Sequence, residues 1–273
     1  MIAENIEIIR ARIKAAAERA GRDPHSVRLV AVSKHQTLEA IREAMAAGQM
    51  LFGENYLQEA EDKVAALNQG AVSGQRVPQI RVSVVGRSVR QRGLFAIQQV
   101  CEQADDKGDA VPSDRLLWHC IGHLQSNKAR LAAEVFACIE TIDRLKLAKA
   151  LESRLVELGK TMPVLVQVNV GGEAQKAGVA PQEAGRLCRE LQQFPHLILQ
   201  GLMTMPPLVE NPEESRSSFR QLRLLGEELA AQGLLGQHGP VELSMGMSAD
   251  FEVAIEEGAT LVRVGTALFG ERD

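Results

Sequence analysis

The chain has 273 residues, enough for two ordinary domains or one eight-stranded barrel, and it carries a formal net charge of −4. That balance gives no overall basic surface of the kind that draws proteins to nucleic acids or anionic lipids, so a small molecule is the expected partner. The four cysteines form no C-x-x-C pair, and the sequence shows neither a signal segment nor a membrane-spanning run. These features predict a cytoplasmic protein with reduced thiols.

The first 20 residues are predicted to form a helix that precedes the first strand. The apolar side chains that recur there at steps of three and four residues, and so share one helical face, are Ile2, Ile6, Ile9, Ile13 and Ala17. Residues 28–33 follow as a short β-branched run without polar alternation, which is typical of a strand covered on both faces. Thr37 is then a predicted N-cap for a helix over residues 38–47.

The same order of apolar run, turn and helical stretch repeats along the chain. The predicted strands lie near residues 28–33, 50–53, 116–121, 136–141, 163–170, 197–202, 241–245 and 261–264. Strands that alternate with helices form a parallel sheet, and eight of them favour a closed barrel over an open doubly wound sheet. The predicted fold is therefore α/β, a single (β/α)8 TIM barrel over residues 1–273 with an extra N-terminal helix.

Residues 68–115 interrupt this order before the third predicted strand. The segment is far longer than the usual connections of α/β units, and no acidic residue lies between Lys63 and Cys101. We interpret it as an inserted surface segment with a short helix near residues 94–103. Contact with an anion or a nucleic acid is the alternative, although Phe95, its only aromatic side chain, argues against single-strand binding.

Lys34 directly follows the first predicted strand, which places it at the carboxyl rim where such barrels collect their functional groups. A lysine buried by its surroundings shifts towards the neutral amine, and this form attacks an aldehyde to give a Schiff base. A rim lysine that reaches solvent is the alternative. Asn55 follows the second strand and could orient a ligand ring beside Lys34, or could belong to an ordinary strand-to-helix turn.

The turns after the seventh and eighth predicted strands are rich in glycine and hydroxyl groups. They read Ser244-Met-Gly-Met-Ser248 and Arg263-Val-Gly-Thr266. Barrels often bind phosphate with these two loops, because glycine lets backbone N–H groups approach an anion. Ser248 could equally be the N-cap of the next helix.

Arg263 carries a permanent charge and needs a partner inside a barrel mouth. If that partner is the pyridine nitrogen of pyridoxal phosphate, the nitrogen stays unprotonated. The ring is then a weak electron sink, which limits carbanion chemistry.

Seven sequence blocks resemble the YggS-like pyridoxal phosphate homeostasis proteins, in the order of that family. The blocks are Ala31-Val-Ser-Lys34, Phe52-Gly-Glu-Asn-Tyr56, Trp118-His-Cys-Ile-Gly-His-Leu-Gln-Ser-Asn-Lys128, Val168-Asn-Val170, Gly201-Leu-Met-Thr-Met205, Leu243-Ser-Met-Gly-Met-Ser248 and Val262-Arg-Val-Gly-Thr-Ala-Leu-Phe-Gly270. The resemblance covers the chain except the 68–115 segment. Cys120 departs from the family, which more often has an aromatic residue there.

The resemblance implies a barrel like the N-terminal domain of alanine racemases, with pyridoxal 5′-phosphate held as a Schiff base on Lys34. It also implies that Asn55 lies beside the ring and that Arg263 faces the pyridine nitrogen. The other cofactor-binding residues that it implies are Met203, Ser244, Gly246, Met247, Ser248, Gly265 and Thr266. Methionines at such spacing are also common in a simple core.

His119 and His123, with Cys120 between them, invite a metal interpretation. No third ligand stands nearby in the sequence, so no metal site is predicted.

The sequence favours a carrier over an efficient enzyme. A racemase needs acid–base groups on both faces of its cofactor, and this chain has one tyrosine, Tyr56. It ends at Asp273, nine residues after the last predicted strand, without a C-terminal β-domain. We therefore expect a monomeric carrier that passes pyridoxal phosphate to apo-enzymes. A weak amino-acid racemase and a phosphosugar-binding barrel isomerase are the alternatives.

Overall fold

Eight parallel strands close into a barrel in the computed structural model, which describes residues 1–70, 116–173, 176–207 and 209–270. The strands are β1 (Arg28–Val32), β2 (Leu51–Glu54), β3 (Leu117–Cys120), β4 (Cys138–Ile142), β5 (Met162–Gln167), β6 (Leu197–Met203), β7 (Glu242–Ser244) and β8 (Leu261–Val264). They pair in chain order, and β8 returns to pair with β1. Each predicted strand overlaps its counterpart, so the predicted (β/α)8 fold is confirmed.

Helices alternate with the strands. They are α1 (Ile2–Arg19), α2 (Leu38–Ala46), α3 (Leu57–Gly70), α4 (Ala129–Val135), α5 (Leu145–Leu158), α6 (Pro181–Leu191), α7 (Arg216–Ala231), α8 (Phe251–Glu256) and α9 (Thr266–Phe269). The extra helix α1 packs against α2, α8 and α9, with its apolar face buried as predicted. Thr37 caps α2 by accepting a hydrogen bond from the Ala40 N–H at 3.2 Å. No helix in the described ranges is long and apolar enough to span a bilayer.

The strands divide the apolar core into two clusters. Alternate strand residues such as Ala31 and Val262 belong to a large cluster shared with the helices. Their neighbours Val30 and Leu261 pack with Leu165 and Met203 in a separate, smaller cluster. Because successive side chains of a strand point to opposite faces, the smaller cluster fills the inside of the barrel.

The segment predicted as an insertion lies mostly outside the described residues. Helix α3 continues through Gly70, so the first positions of 68–115 extend that helix. Residues 71–115, including the short helix expected near 94–103, fall outside the described part of the chain. The inserted surface segment therefore stays a prediction.

Gly201 on β6 marks the tightest backbone approach in the barrel wall. A Cβ atom there would lie 1.9 Å from the carbonyl oxygen of Glu242 on β7. We expect Gly201→Ala to lower the free energy of unfolding by more than about 3 kcal/mol, because backbone must move to admit the methyl group. Urea unfolding would measure this loss.

Gly226→Ala is the matched control, since Gly226 lies in α7 and its Cβ would meet only side-chain atoms, the nearest of them on Leu243 at 3.3 Å. Its stability should change by no more than about 1 kcal/mol. Equal stability of the two variants would contradict the close approach of β6 and β7.

Candidate functional site

A cavity of about 750 Å³ lies at the carboxyl end of the barrel. Its walls come from the strand ends and the loops that follow them, including Lys34 after β1, Asn55 after β2 and Ser248 after β7. Met205 after β6 and Ile121 after β3 add apolar side chains to the wall. The size and the mixture of apolar and convergent polar groups are typical of a small-molecule site.

Seven of the ten predicted site residues line this cavity. They are Lys34, Asn55, Met247, Ser248, Arg263, Gly265 and Thr266. Met203 is instead fully buried in the small cluster inside the barrel, which matches the core alternative for that methionine. Ser244 is also fully buried, and Gly246 shapes a turn. The structure thus gathers most of the predicted residues around one space, and their roles stay predictions.

Lys34 is half-buried, and its side chain forms no ion pair or hydrogen bond with another described residue. The backbone on both sides is held firmly. The Ser33 N–H donates to the Gly53 carbonyl at 3.0 Å, and the His35 N–H donates to the Glu59 carboxylate. His35 adopts a φ of +61°, which is uncommon for a residue other than glycine. The amine of Lys34 is therefore available while its main chain is fixed.

A buried cluster around Lys63, which we call the Lys63 clamp, supplies that rigidity. The Lys63 ammonium lies 2.6 Å from the Ser33 carbonyl oxygen, 2.6 Å from Glu54 Oε1 and 2.7 Å from Glu59 Oε1. Glu54 also accepts a hydrogen bond from the Ser33 hydroxyl at 2.8 Å. The clamp ties the carboxyl ends of β1 and β2 to α3.

Opposing effects act on the pKa of Glu54, the fully buried carboxylate of the clamp. Burial raises the pKa of Glu54 above its ordinary value, although the hydrogen bond and charge of Lys63 and the hydrogen bond of Ser33 oppose the rise. Glu54 is fully buried, so its carboxylate depends on Lys63 for compensation. Sequence reasoning missed this cluster, although Glu59 and Lys63 have the i, i+4 spacing of a helical ion pair.

The two glycine-rich turns are tied to each other. Gly246 has a φ of +90°, and a Cβ there would lie 2.6 Å from the Ala254 Cβ, so glycine is required. The Ser248 hydroxyl accepts hydrogen bonds from the Gly265 and Ala267 N–H groups, both at 3.3 Å. The N-cap position of α8 is occupied by Asp250, so Ser248 links the turns instead of capping that helix. Ser248 and Thr266 bring the hydroxyl-bearing residues of the two turns to the cavity wall.

Arg263 is only 2% exposed and contributes to the cavity wall from β8. It donates to the Ser244 hydroxyl at 2.6 Å and to the Thr204 carbonyl at 2.8 Å. Ser244 in turn donates to Glu140 at 2.5 Å, and the other oxygen of Glu140 lies 2.6 Å from His119 Nδ1. The signal for Glu140 in the sequence is a carboxylate in the middle of β4, beside Ile139 and Thr141.

The two histidines that suggested a metal site face different surroundings. His119 is buried against Glu140, whereas the His123 side chain is 53% exposed and its Nδ1 lies 3.6 Å from Asp143. Among the residues that the structure describes, no three His, Cys, Asp or Glu side chains are placed to share a metal ion.

The closed parallel barrel, with an available amine at its carboxyl rim and glycine-rich turns after β7 and β8, places this chain in a known class of protein. That class is the "Alanine racemase, N-terminal domain" family, whose model matches residues 5–273 of the chain. An alanine racemase from Clostridium difficile shares the fold, with a TM-score of 0.63 at 12% identity over 98% of this chain and 57% of its own. At that identity the likeness concerns the fold alone.

More similar proteins define the family more narrowly. A pyridoxal phosphate homeostasis protein from Pseudomonas aeruginosa is 42% identical over 100% of this chain and 96% of its own length. The one from Vibrio alginolyticus is 39% identical over 100% of this chain and 98% of its own. The chain therefore belongs to the pyridoxal phosphate homeostasis proteins, within the alanine racemase N-terminal domain family, and the resemblance seen in the seven blocks is confirmed.

A solved structure of a family relative contains the cofactor. PipY of Synechococcus elongatus, solved with PLP bound, is 35% identical and superposes with a TM-score of 0.72 over 99% of this chain and 100% of its own. A protein of unknown function from Bifidobacterium adolescentis gives a TM-score of 0.80 at 34% identity, over 98% of this chain and 94% of its own.

The Lys63 clamp predicts a pH-dependent loss of stability when its cation is removed. Lys63→Met leaves the buried Glu54 without compensation, which should cost about 3–5 kcal/mol at neutral pH. The folded-state pKa of Glu54 then lies further above its unfolded value, so the loss grows as pH rises through the folded pKa. It shrinks as pH falls and Glu54 takes up a proton. Urea unfolding at several pH values would measure both effects.

The control for this variant is the double substitution Lys63→Met with Glu54→Gln. Removing the uncompensated charge should recover part of the stability and weaken the pH dependence. A Lys63→Met loss that is absent, or the same at every pH, would count against the clamp.

Proposed function

We propose that this protein binds pyridoxal 5′-phosphate as a carrier, holds it as a Schiff base on Lys34 and does not catalyse a reaction efficiently. The observation that carries the proposal is the convergence of Lys34, Arg263 and the two glycine-rich turns on one cavity. The cofactor seen in the related PipY supports it.

The described residues fit this cofactor chemically. Lys34 lines the cavity and its amine makes no ion pair or hydrogen bond with another described residue, so it is available to condense with an aldehyde. Gly246 and Gly265 keep side chains out of the two turns, and a Cβ on Gly265 would lie 3.3 Å from the Val32 Cβ. When bound, the cofactor would supply a reactive aldehyde and an electron-withdrawing ring.

We assign the individual roles from the sequence resemblance and the cavity. Ser248, Gly265 and Thr266 would hold the phosphate, and Asn55 would lie beside the ring. Arg263 would donate to the pyridine nitrogen, which keeps that nitrogen unprotonated. Met247 would line the cofactor, whereas Ser244, Gly246 and Met203 would act from beneath the cavity.

The single tyrosine favours a carrier over a racemase. Tyr56 is 54% exposed, and its ring packs near the His35 ring, with centroids 5.4 Å apart. It does not line the cavity, so it is poorly placed to act as a second acid–base group opposite Lys34. An arginine beside the ring nitrogen would also limit carbanion chemistry. A weak amino-acid racemase acting through Lys34 is the second candidate.

The proposal extends to the setting of the protein. We propose a monomer in the cytoplasm that passes the cofactor to apo-enzymes that depend on it. Cys120, Cys138 and Cys188 are free and buried, which suits a reducing compartment. Burial raises the pKa of Cys120 and Cys188 to about 12, so these thiols are unreactive and should not compete with Lys34 for the aldehyde.

Lys34→Ala should abolish covalent binding of pyridoxal phosphate. The parent protein should be yellow when loaded, and borohydride reduction followed by mass mapping should place the adduct on Lys34. The variant should remain colourless and bind pyridoxal phosphate at least about 100-fold more weakly. The covalent link is lost, and with it the constraint that positions the cofactor.

Lys160→Met is the matched control. Lys160 is also buried, and burial lowers its pKa, but it precedes β5 at the opposite end of the barrel. This variant should keep the colour and affinity of the parent. An equally coloured Lys34→Ala protein, or an adduct on another lysine, would refute the assignment of Lys34.

Isotope exchange separates the carrier from the racemase. When the protein loaded with pyridoxal phosphate is incubated with L-alanine in deuterated water, the alanine should take up little deuterium at its α-carbon. Rapid exchange that disappears in Lys34→Ala would support the racemase. A colourless parent that binds a sugar phosphate would favour the isomerase alternative.

A further inference from the structure

Arg263 is a buried cation whose direct partners are neutral. Its side chain is 2% exposed, and its two hydrogen bonds to described residues end on the Ser244 hydroxyl and the Thr204 carbonyl. Neither group carries a charge. An unpaired charge is costly to bury, so the compensating carboxylate must lie beyond this first layer of contacts.

Ser244 connects Arg263 to that carboxylate. Its hydroxyl accepts from Arg263 Nη1 at 2.6 Å and donates to Glu140 Oε2 at 2.5 Å. A hydroxyl has one proton, so both hydrogen bonds are made only when that proton points at Glu140. The direction of both hydrogen bonds is therefore fixed: the guanidinium donates to the hydroxyl, and the hydroxyl donates to the carboxylate.

Glu140 also has a second partner, His119, at the carboxylate oxygen that does not contact Ser244. It is fully buried on β4, and its Oε1 lies 2.6 Å from Nδ1 of His119 on β3. Burial alone would raise the pKa of Glu140, but the hydrogen bond and charge of His119, with the charge of Arg263, bring it below its ordinary value. The carboxylate is therefore ionised and cannot rotate away from Ser244 without losing a second partner.

Asp250 is the other carboxylate near Arg263, and it is occupied elsewhere. Its Oδ1 accepts from the Met247 N–H at 2.7 Å, within the turn after β7. It acts on Arg263 through its charge, and in the described part of the chain it makes no hydrogen bond to the guanidinium. The geometry of Arg263 therefore depends on the route through Ser244.

We propose that Glu140, acting through Ser244 and backed by His119, is the positioning residue that holds Arg263 against the cavity wall and so controls how the cofactor ring is bound. This inference rests on the proposed function, because it concerns the ring that Arg263 would face. It goes further in assigning a role to Glu140 and His119, two buried residues that do not line the cavity, and in giving the route from them through Ser244.

The test compares Glu140→Gln with the parent, using pyridoxal phosphate labelled with nitrogen-15 in its ring. Glutamine keeps the size of the side chain but removes the charge. We expect the covalent adduct on Lys34 to persist and the affinity for pyridoxal phosphate to fall about tenfold, the loss typical of a weakened hydrogen bond to a charged group. The NMR shift of the ring nitrogen should move towards that of the cofactor free in water.

Glu242→Gln is the matched control for the loss of a barrel carboxylate. Glu242 pairs with Arg28 at 2.7 Å at the amino end of the barrel, away from the cavity. This variant should retain the affinity and ring-nitrogen shift of the parent, even if it is less stable. A general effect of a weakened barrel would instead change both variants.

Ser244→Ala keeps the test decisive if Glu140→Gln fails to fold. It leaves Glu140 and His119 in contact but removes the hydroxyl that joins Glu140 to Arg263, so the NMR shift of the ring nitrogen should move in the same direction. If the parent binds at Lys34 and either folded variant matches it in affinity and in shift, the role of Glu140 is refuted while the carrier function stands. A parent that forms no adduct at Lys34 would refute the carrier function itself.

Discussion

The site depends on keeping the positive charge of Arg263 inside a barrel. The barrel interior is mostly apolar, so this guanidinium is stabilised by a hydroxyl and a carbonyl that accept its hydrogen bonds and by the opposite charges of Glu140 and Asp250. The result is a rigid donor at the cavity wall, on the side where the resemblance places the ring nitrogen. A carboxylate in that place would favour carbanion chemistry, whereas arginine favours simple retention of the ring.

The other two parts of the site are held by separate means. The Lys63 clamp fixes the backbone around Lys34, while Ser248 joins the turns after β7 and β8. Neither of these networks shares a side chain with the hydrogen-bond network that runs from His119 through Glu140 and Ser244 to Arg263. Three separate sets of hydrogen bonds therefore hold the Lys34 backbone, the two turns and the Arg263 guanidinium. Side chains and turns that are held in this way would reduce the ordering cost of the proposed cofactor binding.

The sequence predicted the barrel well because apolar runs and turns repeat with a clear rhythm, and Lys34, Asn55 and the two turns were visible from their places at strand ends. It predicted less about what lies beneath the cavity. Lys63 meets the Ser33 carbonyl 30 positions away in the sequence, and Glu140 meets Ser244 104 positions away. No local sequence pattern predicts contacts at such separations. The place of Met203 could not be read from the sequence either, since a methionine near a strand end can point into the core or into the cavity, and its role stays a prediction.

The most direct test of the central claim is a crystal structure of the protein loaded with pyridoxal phosphate. We expect continuous density from the Lys34 side chain to the cofactor, with the phosphate against Ser248 and Thr266. Arg263 should remain bonded to Ser244 while it faces the ring nitrogen. A cofactor attached to a different lysine, or a phosphate bound away from the two turns, would contradict the account.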